Sequence, residues 1–131
     1  MKAVRVILSP EAEQAYDWLC KNKSEKPILN SINKKVELIK KNIHYGYPIA
    51  KRLIPKEYKD KYDIKNLFRV ELSRYWRMLY TLTNNDEVEI IAFILDIMSH
   101  KDYSDILPGL KSGASNWKPY LMMANLFFYV I

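Results

Sequence analysis

The chain has 131 residues, 49% apolar and 13% aromatic, which is enough to build one compact domain with a real core and argues against intrinsic disorder. Lys and Arg number 21 against 15 acidic residues, a formal charge of +6 that favours a polyanionic partner such as nucleic acid. One cysteine, two histidines and three glycines argue against an internal disulfide, a zinc site and a Gly-rich nucleotide loop, and the absence of a signal-like start points to a reducing cytoplasm.

The run VRVIL (4–8) is short, apolar and β-branched, and predicts a strand. SPEAE follows it, with Ser9 as N-cap, Pro10 at the first helical position and two early glutamates. Ala12, Ala15, Tyr16 and Leu19 then recur at helical spacing, so a first helix is expected over about 10–22, broken by NKSEKP. From Ile28, the positions Leu29, Ile32, Val36, Ile39 and Ile43 repeat at three or four until Gly46 and Pro48 stop them. The two helices form an αα-hairpin. Lys34, Lys35, Lys40 and Lys41 fall mainly between the apolar positions and read as a solvated face, while His44 reads as a helix-end residue.

After Pro48, IAKRLI reads as a short strand, PKEYKDKYD as a charged connection and NLFRVEL (66–72) as a strand of period two. Alternation turns Phe68, Val70 and Leu72 to the core, beside Trp76, Met78 and Tyr80 of the next strand. Leu67, Arg69 and Glu71 take the other face, with Tyr75, Arg77 and Leu79, so a hairpin around Ser73 and Arg74 gathers Arg69, Glu71 and Arg77 on one surface. NNDE (84–87) is the next hairpin loop, VEIIAFILDIM is apolar on both faces as a central strand would be, and Ser99 caps a short helical turn.

The expected fold is therefore α+β, in the order β-α-α-β-β-β, with the helical hairpin on one face of a small, mostly antiparallel sheet and the opposite face left for function. Residues 1–110 make this domain and 111–131 an atypical apolar tail. Its final apolar stretch of about a dozen residues is short of the ~20 that a spanning helix needs, so no membrane anchor is assigned. An added strand or helix, an interface segment and a read-through scar all stay open.

The blocks NLFRVELSRYWRMLYTL and FILDIMSHKDYSDIL, in that order, resemble the second half of RelE/ParE-type toxins, the small toxins of toxin–antitoxin operons. VRVILSPEAEQAYDWL resembles that family's first strand and helix, and IAKRLIPKEY sits where its first post-helix strand belongs, so the likeness covers about residues 1–108. RelE-like members are ribosome-dependent endoribonucleases that cut mRNA in the decoding site; ParE-like members share the fold and poison DNA gyrase.

RNA cleavage by 2′-hydroxyl attack needs a base, a proton donor for the leaving 5′-oxygen and fixed positive charge for the pentavalent phosphate. Arg77 matches the family arginine that contacts the scissile phosphate, and its fork of donors suits that role; the competing reading is a cross-hairpin ion pair with Glu71. Arg69 matches a position often basic in the ribonucleases. His100, Lys101 and Tyr103 resemble the family's segment after the last strand, where a histidine would protonate the leaving oxygen and a tyrosine would stack on a base. The His100 to Tyr103 spacing is shorter than is usual there. Glu71 is the candidate base, although an ion pair with Arg77 would weaken it. Lys51 and Lys56 are candidate RNA-backbone contacts.

The resemblance thus implies a type II toxin that cuts mRNA on the ribosome, without metal or other cofactor and without a membrane, giving a 2′,3′-cyclic phosphate and neutralised by a cognate antitoxin. A ParE-like gyrase inhibitor and a degenerate, non-catalytic toxin homologue are the alternatives.

Overall fold

The structure, a computed structural model, describes residues 3–85, 89–99 and 129–130. Strand β1 (Ala3–Leu8) leads into helix α1 (Pro10–Lys21), and the fully buried Ser9 joins them. Its Oγ accepts from the Ala12 N–H at 3.0 Å and donates to the Leu95 carbonyl at 2.7 Å. One hydroxyl therefore caps the helix and ties it to the centre of the sheet. A short 3-10 turn (Lys23–Glu25) reverses the chain into helix α2 (Lys26–Lys41), whose Ile28, Ile32, Val36 and Ile39 are fully buried. Each such side chain contributes about 1.5–3 kcal/mol as an upper estimate.

The sheet order is β2-β3-β4-β5-β1-β6. Strand β3 (Phe68–Glu71) pairs antiparallel with β4 (Arg77–Asn85), and β4 with β5 (Glu89–Met98). β1 inserts beside β5 as the parallel pair, Ala3 opposite Glu89 through Leu8 opposite Ile94. Within the tail, β6 (Tyr129–Val130) adds antiparallel to β1, and the rest of 111–131 lies outside the described residues. The α+β order and the helical hairpin on a mostly antiparallel sheet agree with the sequence expectation. Among the described residues, no helix is long and apolar enough to cross a membrane.

Alternation sorts the hairpin residues as expected on the helix side: Phe68, Val70, Leu72, Met78 and Tyr80 join Ile94 and Ile97 in the core under α1 and α2, with Trp76 packed against it. A bulge on β5 opposite Leu79 and Tyr80 shifts the register, so Leu95 and Asp96 both turn to the other face while Ile97 stays on the helix side.

Three local expectations are corrected. The strand after α2 is β2 (Tyr47–Pro48), and IAKRLI instead holds a 3-10 turn (Lys51–Leu53) closed by bonds from Leu53 and Ile54 back to Ala50 and Lys51. PKEYKDKYD carries helix α3 (Lys56–Tyr62): its charges sit on the solvent side, and Tyr58, one turn before Tyr62, turns inward. The hairpin turn falls around Ser73 and Arg74 as expected but extends through Tyr75, so Tyr75 and Trp76 are not strand and β4 starts at Arg77; Arg74 and Tyr75 have positive φ, 56° and 64°. As a result the sheet face opposite the hairpin is not wholly free. Ile54, Tyr58 and Ile64 cover Leu67, Leu79, Leu95 and Met98 there, forming a second apolar cluster.

Candidate nucleic-acid interface

The β3–β4 end of that second face carries the residues that the sequence singles out. Glu71 lies directly opposite Arg77, and Arg69 opposite Leu79, so the pairing places Arg69, Glu71 and Arg77 on one surface as expected. The Arg77 guanidinium reaches Glu71 Oε1 at 3.3 Å and donates to the Trp76 carbonyl at 3.2 Å. Arg77 keeps only 12% of its side chain exposed against 67% for Glu71, so the pair is a largely buried cation under a solvated carboxylate. In that setting the cross-strand attraction is worth ~1 kcal/mol or less, and the guanidinium is held in place more by packing than by charge.

Arg69 stands over the ring of Tyr47, its cross-strand neighbour on β2, at 4.7 Å. Tyr47 is 63% exposed. The loop 43–46 that delivers it is anchored by Tyr80, which is fully buried and donates to the Ile43 carbonyl at 2.7 Å while accepting from the Gly46 N–H at 2.9 Å. Burial raises the Tyr80 phenol pKa, partly offset by the Gly46 hydrogen bond, which keeps it a neutral donor. Gly46 is required here: a Cβ would sit 2.8 Å from Cε1 of the Tyr80 ring and 3.0 Å from Phe68 Cβ. His44 lies exposed in this loop, past the C-cap Asn42 of α2 rather than on the helix end, and sits edge-on to Phe68.

On the other flank of Gly46, Tyr45 is met by Lys35, whose Nζ donates to the phenol oxygen at 3.0 Å. Lys35, Tyr45, Gly46, Tyr47, Arg69, Val70 and Glu71 line a cavity of about 280 Å³. A second cavity of about 480 Å³ continues from Lys35 and Glu71 past Lys34, Asn30 and Ser31 to Ser73. Sequence reasoning missed Tyr45 and Tyr47 and assigned Lys34 and Lys35 to a plain solvated face. The available signal was the pair of tyrosines flanking Gly46. The turn beyond is docked rather than loose: Ser31 Oγ accepts from the Ser73 N–H at 3.1 Å, and Arg74 donates to the Ser24 carbonyl at 2.6 Å.

The other predicted residues do not join this cluster. Lys51 is exposed in the 3-10 turn and Lys56 begins α3, and neither lines the two cavities. His100, Lys101 and Tyr103 lie outside the described residues, as does the helical turn expected after Ser99. Among the described residues, no group of three His, Cys, Asp or Glu side chains is placed to hold a metal ion. The arrangement sets the cations Lys35 and Arg69 beside two exposed tyrosine rings, in a cavity whose wall includes Glu71, the ion-pair partner of Arg77. No protein-family model, no curated protein and no solved structure matches this chain.

Proposed function

We propose that the chain is a RelE-like toxin of a type II toxin–antitoxin system, a cytoplasmic, ribosome-dependent mRNA endoribonuclease. The observation that carries the reading is Arg77: a guanidinium held at the β3–β4 end of the sheet, 12% exposed and 3.3 Å from a carboxylate, with Arg69 on the same surface. A pentavalent phosphate docked there meets a guanidinium that its bonds to Glu71 and the Trp76 carbonyl already hold in position. Glu71 beside it is the base candidate for the 2′-hydroxyl, His100 the proton donor and Tyr103 a base-stacking ring, while Lys101, Lys51 and Lys56 add contacts to the RNA backbone. No metal or other cofactor is assigned a part in this chemistry. The cognate antitoxin is an acidic segment that folds on the basic toxin surface, which the charge of +6 favours.

The test is primer extension on a defined mRNA in programmed ribosomes, with the wild-type chain beside Arg77→Ala. Cleavage in the decoding-site codon that falls about 100-fold or more in the variant supports the reading, that being the loss expected of one transition-state donor. Equal cleavage by a folded variant refutes it. The Glu71–Arg77 ion pair favours a second reading, because a carboxylate held by an arginine is a poorer base. On that reading the chain is a ParE-like gyrase inhibitor, and intact mRNA with trapped gyrase–DNA complexes on expression would select it.

A further inference from the structure

The geometry points to a single-stranded RNA groove that has Glu71, the ion-pair partner of Arg77, in its wall, and in which Tyr47 and Tyr45 are stacking platforms for bases and Lys35 and Arg69 meet the adjoining phosphates. The choice of RNA as the polymer rests on the ribonuclease reading; the groove itself rests on its own side chains. Tyr45 and Tyr47 are 38% and 63% exposed, although a buried ring would contribute far more to stability than a solvated one. Each is held by a cation: the Lys35 ammonium donates to the Tyr45 hydroxyl at 3.0 Å, and the Arg69 guanidinium stands over the Tyr47 ring at 4.7 Å. Arg69 and Tyr47 are also cross-strand partners, and the intervening Gly46 is pinned to Tyr80 at 2.9 Å, so the platform is formed in advance.

The charge in the trough is complementary to a phosphate chain. Its walls carry Lys34, Lys35 and Arg69 against one acid, Glu71, and Glu71 is itself bonded to Arg77 at 3.3 Å. Aromatic rings alternating with cations along a positive groove are the chemistry of sequence-tolerant single-strand binding, in which each base stacks and each phosphate meets a cation. An acidic peptide would use the cations and leave the rings idle, which makes base dependence the deciding property. The two cavities share Lys35 and Glu71, so they adjoin, one holding Tyr47 and the other reaching Ser73, with Glu71, the partner of Arg77, as a common wall.

The experiment measures binding of 5′-fluorescein octauridylate to the full chain by anisotropy, without ribosomes. Tyr47→Ala is expected to weaken binding about 5- to 150-fold, the loss for one stacked base, while Tyr47→Phe stays within twofold of wild type. Lys35→Ala should flatten the slope of log affinity against log salt by about 0.7, one phosphate contact on a single strand. An abasic octanucleotide and a duplex should bind more weakly than octauridylate. Circular dichroism controls for folding, and Tyr47 is exposed enough for truncation to spare the core. Tyr47→Ala binding within twofold of wild type, or abasic and uridylate strands binding alike, overturns the groove. If Tyr47-dependent binding is found but programmed ribosomes are not cut, the ribonuclease reading fails and the groove stands; cleavage with Tyr47-independent binding means the reverse.

Discussion

Removing the Tyr80 hydroxyl tests whether the interface loop is held from the core. Tyr80→Phe keeps the ring, which stacks on Phe68 at 5.1 Å, and deletes two hydrogen bonds, one to the Ile43 carbonyl and one from the Gly46 N–H. Leaving a buried group unpaired costs about 1–3 kcal/mol. Gly46 is buried whereas Ile43 is half-buried and regains water, so a loss of about 2 kcal/mol is expected. For a chain of 131 residues the average unfolding entropy is about 0.28 kcal/mol/K, so this corresponds to a Tm lower by about 7 °C. Urea unfolding followed by tryptophan fluorescence should show the same loss with an unchanged slope, and the Gly46 amide should exchange faster. The control is the same chemical change at Tyr45, where the phenol meets only the Lys35 ammonium at the surface and the expected cost is about 0.5 kcal/mol or less. A Tm shift under 1 °C for Tyr80→Phe, or equal shifts for the two variants, would refute the claim that buried hydrogen bonds anchor the loop.

Two other changes probe the joints of the fold. Ser9→Ala removes the cap to Ala12 and the bond to Leu95 at a fully buried site, and should cost about 2–3 kcal/mol in denaturant unfolding; Ser9→Thr should recover part of it. Glu11 faces Lys61 and Tyr62 of α3: burial pushes its carboxyl upward, but the hydrogen bonds from both partners outweigh burial and hold it below the ordinary value of 4.5. Because the folded value lies below the unfolded one, its stabilisation is complete above about pH 4.5 and disappears as pH falls through the folded value. Glu11→Gln should therefore lower stability at pH 7 and flatten the acid limb of a stability–pH curve; an unchanged acid limb would show that the carboxylate does not tie α3 to α1.

Local patterns alone determined much of this molecule. Ser9 and Pro10 announce α1 within one residue of its start, the isoleucine spacing announces the buried stripe of α2, and period two in NLFRVEL sorts Phe68 and Val70 from Arg69 and Glu71. These features depend on residues close in sequence, and their side-chain directions follow from backbone period. The strand expected over IAKRLI and the connection expected over PKEYKDKYD failed because composition outweighed spacing. Lysines and acids mask the inward Tyr58, and only packing against Leu67, Leu79 and Leu95 shows that the segment is a lid on the second face. The union of Lys35, Tyr47, Arg69 and Glu71 was likewise decided by tertiary structure, since it needs β2 to pair with β3 and α2 to lie along the same edge. Cross-strand register and the burial of Tyr80 bring those residues together from distant parts of the chain, and no local period records that meeting.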